Sequence, residues 1–251
     1  MTTQTHSLFS RTGVMTFNTL SYFLGSGSLV LLILVFGNIV TPDNAPIFKG
    51  PEFDSTAMTI LWNLAWIIGF GYKHTVMASI EFKAGMARFI PNAMNRGLYV
   101  LATAVYLVAM LYFWSPLEGV LWSVEGTAYW VVIAGFLFGW SFLFLATFMI
   151  DHFELFGLKQ AYYHFKQHEL PELTFVKSGF YAYVRHPIMT GMLIGIWCVP
   201  MMSVSLLMMS IGFTAYILVG VYFEEKKLKR MLGEQYDVYC QEVGSIIPKL
   251  G

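Results

Sequence analysis

Charge is what this sequence has least of. Aspartate, glutamate, lysine and arginine together make 12% of its residues, against roughly 25% in an ordinary soluble domain. Neither sign is in excess: 15 basic residues meet 15 acidic ones and the formal net charge is zero. That balance excludes the basic surface that a nucleic-acid partner needs. Cysteine is nearly missing too. Cys198 lies in an apolar stretch and Cys240 in the tail, which suits neither a disulfide framework nor a metal set, so no metal is expected. Internal repeats and low-complexity segments are also lacking, and residues 1–251 read as a single domain.

What is present is hydrophobic, 57% of the chain. Apolar stretches cover 17–40, 55–78, 98–114 and 127–150, and 188–223 holds no charged residue at all. A membrane-spanning helix needs roughly 20 apolar residues, so 188–223 is nearly two spans long. Pro200 and the serines at 203 and 205 mark a break in it. The sequence therefore predicts an all-α integral membrane protein with about six transmembrane helices, the last two forming a C-terminal helical hairpin. Residues 1–18 lack the short apolar core and small-residue cleavage site of an export leader, so no cleavage is expected. Six spans put both termini on one side of the lipid bilayer. Fourteen of the fifteen Lys and Arg residues then fall on that side, with Lys49 alone opposite, and the positive-inside rule makes that side cytoplasmic. Apolar residues at helical spacing in 151–169, and in the tail from Leu228 to Val243, predict an amphipathic cytoplasmic cap.

Two charged pairs bracket the long apolar block. Arg185 and His186 stand before Pro187, a residue suited to the first turn of a helix, and Glu224 and Glu225 stand at the far end. A hairpin brings the pairs together. Cations at a helix N-terminus and anions near a C-terminus each cost about 0.3–1 kcal/mol, unless the second helix continues past the glutamates. A ligand with a carboxylate and a cation would relieve both. The bland alternatives are that Arg185 snorkels to lipid headgroups and that Glu225 and Lys229 form an i,i+4 pair on a solvated helix face. His74 and His152 each end a predicted span, and either could be a general base, a haem ligand or a backbone-bonded interfacial histidine.

These residues also carry a resemblance. R-H-P-x-x-x-G from Arg185 to Gly191, then E-E-x-x-L-x-x-x-x-G-x-x-Y-x-x-Y-x-x-x-V from Glu224 and a final I-P, resembles the integral-membrane methyltransferases related to isoprenylcysteine carboxyl methyltransferase. The resemblance implies S-adenosylmethionine as cofactor, held within 181–248, with Tyr181, Arg185, His186, Pro187, Gly191, Glu224, Glu225, Tyr236 and Tyr239 as binding residues. K-H-T-V-M-A from Lys73, R-F-I-P from Arg88, N-R-G-L-Y-V-L from Asn95 and I-D-H-F-E-L-F-G-L-K-Q from Ile150 are similar to the bacterial methanethiol S-methyltransferases. That narrower resemblance implies methylation of a small volatile thiol, methanethiol to dimethyl sulfide and also hydrogen sulfide, at the bacterial inner membrane; a thiol is a weak acid, so such a reaction calls for a catalytic base, for which His74 and His152 are the candidates. Met189 stands where the wider family commonly has Tyr, and Lys73 where the narrower one often has Gln. Two other readings compete: the same chemistry on a prenylcysteine carboxylate or lipid amine, and a haem-binding electron carrier using His74 and His152.

Overall fold

A computed structural model describes residues 8–171 and 175–249. Ten α-helices and one two-stranded sheet are found among them. Four helices are long and apolar enough to cross a membrane: α1 (Leu8–Phe36), α4 (Asn95–Phe113), α5 (Gly126–Ile150) and α9 (Val204–Leu232). The chain is a multi-pass, largely helical membrane protein. α2 (Thr56–Ala78) is 23 residues long but lies outside that set of four. α8 (Pro187–Trp197) has 11 residues, about 16 Å at 1.5 Å per residue and half of a ~30 Å hydrocarbon core. It stops because Cys198 adopts a non-helical backbone and Pro200 has no N–H to give a following turn.

The 115–126 segment, which separates the predicted spans 98–114 and 127–150, contains a short strand. β1 (Val120–Ser123) pairs antiparallel with β2 (Met201–Ser203), which fills the break between α8 and α9. The Ser203 hydroxyl then caps α9 by accepting from the Leu206 N–H at 3.2 Å, satisfying one of the donors orphaned at a helix start. Across the core, Asn63 of α2 exchanges two hydrogen bonds with the backbone of Ser115, at 2.8 and 2.9 Å. A fully buried amide of this kind is held only where both its ends are satisfied.

α8 lies against α5 on a seam of glycines. A Cβ at Gly191 would sit 2.5 Å from the Leu143 nitrogen, and one at Gly139 2.6 Å from the Gly195 nitrogen. Small residues let two backbones approach this closely, and forcing them apart costs about 1–3 kcal/mol. The largest apolar cluster, including Phe36, Met110, Trp114, Ile196 and Met209, joins α1, α4, α8 and α9.

At the polar end, α5 stops at Asp151, whose φ of 139° turns the chain sharply into α6 (His152–Leu155). Its carboxylate caps α6 through the Glu154 N–H at 3.0 Å and pairs with Lys159 at 2.7 Å. Lys159 lies on the amphipathic α7 (Leu158–Lys166), and α3 (Ile80–Met86) follows α2 on the same kind of short excursion. α10 (Glu234–Glu242) closes the tail, with Tyr236, Tyr239 and Val243 buried against Phe175, Leu228 and Leu232.

Candidate active site

Two constellations form the polar end of the molecule, and the first contains both charged pairs. The tail runs back beside the start of α8: Arg185 N–H donates to the Gly244 carbonyl at 2.8 Å, and His186 N–H to that of Ser245 at 3.1 Å. Arg185 sets Nε 3.1 Å and Nη2 2.6 Å from a single oxygen, Glu225 Oε1. Its Nη1 donates to the carbonyl of Val243. His186 Nε2 lies 3.1 Å from the same Glu225 oxygen, and the Ser245 hydroxyl donates to it at 2.7 Å. Glu224, 3.6 Å from His186 Nδ1, keeps half of its side chain exposed. α9 continues to Leu232, so the glutamates are not at a helix end and the macrodipole cost weighed above does not arise for them. Arg185 and Glu225 instead neutralise one another, which leaves Glu224 as the carboxylate open to a ligand.

The remaining residues of the motif support this cluster. Pro187 occupies the first turn of α8, and Gly191 lies in the seam with α5. Tyr181 and Tyr239 are buried and joined, the Tyr239 hydroxyl donating to the Tyr181 carbonyl at 2.6 Å. Tyr236 is 1% exposed. Burial pushes the Tyr239 phenol up to about 12, so it stays a neutral donor.

The second constellation surrounds His74, near the end of α2. Thr103 of α4 donates its hydroxyl proton to the Tyr99 carbonyl at 2.8 Å. Its oxygen is therefore an acceptor for Lys73 Nζ at 3.0 Å and for His74 Nδ1–H at 3.3 Å. With its proton on Nδ1, the imidazole has a bare Nε2, and the Tyr99 hydroxyl donates to it. Arg96 lies over the Tyr99 ring at 5.0 Å and donates to the Leu155 carbonyl of α6 at 2.5 Å. Tyr216 of α9 meets the imidazole edge-on at 5.8 Å. Tyr216 and Glu224 both lie on α9, about two turns apart, and so that helix joins the two constellations.

His152 stands elsewhere. It is 3% exposed, stacked on Phe148 at 4.2 Å, with Thr147 Oγ1 on Nδ1 at 2.8 Å and the Tyr22 hydroxyl on Nε2 at 3.0 Å. Burial holds its pKa below the ordinary histidine value, against a smaller opposing pull from Asp151. Both nitrogens of both histidines are engaged, so neither offers a lone pair to a haem iron. Tyr99, Thr103 and Tyr216 were not singled out from the sequence. The i,i+4 spacing of Tyr99 and Thr103, opposite a histidine predicted to end a neighbouring span, was the available signal.

A multi-pass helical membrane protein with a charged and aromatic constellation at one end of its bundle is the class these features define. The chain is 35% identical over 99% of its length to the methanethiol S-methyltransferase of Crocosphaera subtropica, covering 97% of that protein. It is 40% identical to that of Pseudomonas sp. (strain GM41(2012)) over 79% of each chain. Nurim of Sus scrofa is a more distant relative, 29% identical over 70% of each. No family model and no solved structure matches the chain. The chain belongs to the methanethiol S-methyltransferase family.

Proposed function

We propose that this protein transfers the methyl group of S-adenosylmethionine to methanethiol, giving dimethyl sulfide, and that it also accepts hydrogen sulfide. The observation that carries the reading is the similarity, over nearly the whole chain, to a protein named for that reaction. The site chemistry agrees with it. Arg185, held in place by Glu225, presents its guanidinium beside the donor's carboxylate with His186 next to it, and Glu224 brings an open carboxylate for its ammonium or ribose hydroxyls. Tyr181, Pro187, Gly191, Tyr236 and Tyr239 shape the wall of that subsite. When bound, the donor supplies an electrophilic methyl group on a sulfonium.

The chain's own residues then have three tasks. They enclose a thiol that offers almost no binding handle, hold it in line with the methyl group, and take its proton. An ordinary thiol has a pKa near 8.5, and a simple alkyl thiol is less acidic, so a base matters at neutral pH. His74 is the base, because α9 joins its constellation to that of Glu224, whereas His152 is sealed among aromatic rings.

The protein lies in the bacterial inner membrane with six crossings: α2, and α8 together with the β2 segment that follows it, join the four long apolar helices. Both termini and the site then face the cytoplasm, where the donor is made. Glu118→Cys should react with an impermeant thiol reagent from outside the cell and Lys166→Cys should not; the opposite labelling would reverse the orientation. The activity itself is tested by headspace gas chromatography of purified protein given methanethiol and S-adenosylmethionine. Dimethyl sulfide formation supports the reading, and binding of the donor without product overturns it.

A further inference from the structure

His74 presents no open nitrogen. Nδ1 faces Thr103, whose oxygen also accepts from Lys73, and Nε2 is covered by the Tyr99 hydroxyl. A thiol therefore meets the phenol oxygen of Tyr99 before it can meet the imidazole. That phenol also lies beside a fixed cation, because Arg96 lies over its ring. We propose that Tyr99 is a catalytic residue that relays the proton of the acceptor thiol to His74 Nε2.

The step balances without any further reagent. The S–H bond breaks and its electron pair stays on sulfur. The proton goes to the Tyr99 oxygen as the phenol's own proton moves to His74 Nε2, so Tyr99 begins and ends neutral and His74 becomes an imidazolium. The thiolate pair then forms the new bond to the methyl carbon, and the pair of the broken carbon–sulfonium bond returns to the donor sulfur. His74 later loses its proton to water. Arg96, with its guanidinium 5.0 Å from the ring centroid, favours negative charge on the phenol oxygen while both protons are in flight. Thr103 keeps Nε2 bare by fixing the tautomer.

The proposal rests on the thiol-methylation reading and on His74 as its base, and the test separates the three. Tyr99→Phe keeps the ring and removes only the hydroxyl. Its kcat should fall about 10²–10⁴-fold at neutral pH, the usual range for general acid–base catalysis, with S-adenosylmethionine affinity by calorimetry unchanged. The deficit should shrink as pH rises, and the double variant with His74→Ala should be no slower than the slower single one. Wild-type rates in Tyr99→Phe with a slow His74→Ala overturn the relay and leave His74 as the base. Wild-type rates in both remove the base as well. A loss in Tyr99→Phe that is the same at every pH also overturns the relay, because it marks a ring-positioning role. If Tyr99→Phe binds no donor, the wild-type protein decides: kcat/KM against deuterium fraction is curved for two moving protons and linear for one, and a linear plot overturns the proposal.

Discussion

His74 and His152 are held by the same set of partners. In each, a threonine hydroxyl that donates to a carbonyl of its own helix accepts from Nδ1–H, and a tyrosine hydroxyl donates to Nε2. The two imidazoles are therefore the same tautomer, fixed in the same way. Their surroundings differ. His152 is packed by Phe144, Phe148 and Phe156, and its tyrosine, Tyr22, by Phe23 and Phe156. His74 is half-buried, next in sequence to Lys73, and its tyrosine lies under Arg96. A hydrogen-bond pattern alone thus does not distinguish a base from a structural pin; the charge and access around it do.

The largest effect that tests this contrast is on turnover. His74→Ala should lower kcat about 10²–10⁴-fold with donor affinity nearly intact, and the loss should ease at high pH. His152→Ala should keep kcat per folded molecule and lower the yield of folded protein. A pH–rate profile for both, with donor affinity in parallel, decides; the reverse assignment would exchange base and pin. Next is the charged cluster, which should act on binding and not on the proton. Glu224→Ala should weaken donor binding about ten- to hundredfold, the roughly 1.5–3 kcal/mol of a charge-assisted hydrogen bond. Arg185→Ala should do the same and also unfold more readily, because it removes the cation paired with the partly buried Glu225. Unchanged calorimetric affinity in both would remove the cluster from the site.

The threonines sharpen the comparison at smaller cost. Thr103→Val and Thr147→Val each leave an Nδ1–H without its acceptor, worth about 1–3 kcal/mol when buried. Thr147→Val should lower the unfolding midpoint and spare kcat. Thr103→Val should lower kcat, because the imidazole is then free to take the other tautomer. If both variants show only the stability loss, Thr103 does not set the tautomer that catalysis uses.

Much of the membrane architecture was readable from composition. Four of the expected spans coincide, within a few residues at the ends or with a shift in the first, with helices in the structure, because an uninterrupted apolar run has few alternatives in lipid. The juxtaposition of Arg185 and His186 with Glu224 and Glu225 followed from the uncharged block between them. What could not be read was pairing. That Arg185 and Glu225 satisfy each other, leaving Glu224 open, depends on α9 continuing to Leu232 and on the tail returning past Ser245. The β1–β2 pair depends on contact between segments about 80 positions apart, to which local spacing is blind. Tyr22 and Tyr99 became partners of the histidines for the same reason.

The smallest effect is on stability against pH, and it isolates His152. Burial lowers its pKa in the folded protein, while in the unfolded chain it titrates near 6.5. Above that pH both states are neutral and its contribution to stability is fully present. As pH falls through about 6.5, the unfolded chain takes up a proton that the folded protein refuses. Stability then drops by at most about 1.4 kcal/mol per pH unit. Asp151 is the adjacent ionisable group to separate from it. Burial alone would raise its pKa, and the hydrogen bonds that its carboxylate accepts from Lys159 and from the Glu154 N–H outweigh that and hold it low. Its contribution is therefore present above the ordinary carboxylate range and lost only well below pH 4. Between pH 6.5 and 5 the two do not overlap. His152→Gln keeps a side chain that can accept from Tyr22 and donate to Thr147 but cannot take a proton in that window. The unfolding midpoint in detergent should fall from pH 7 to 5 in the wild type and fall less in His152→Gln. An equal fall in both would mean that His152 is not held neutral by its burial.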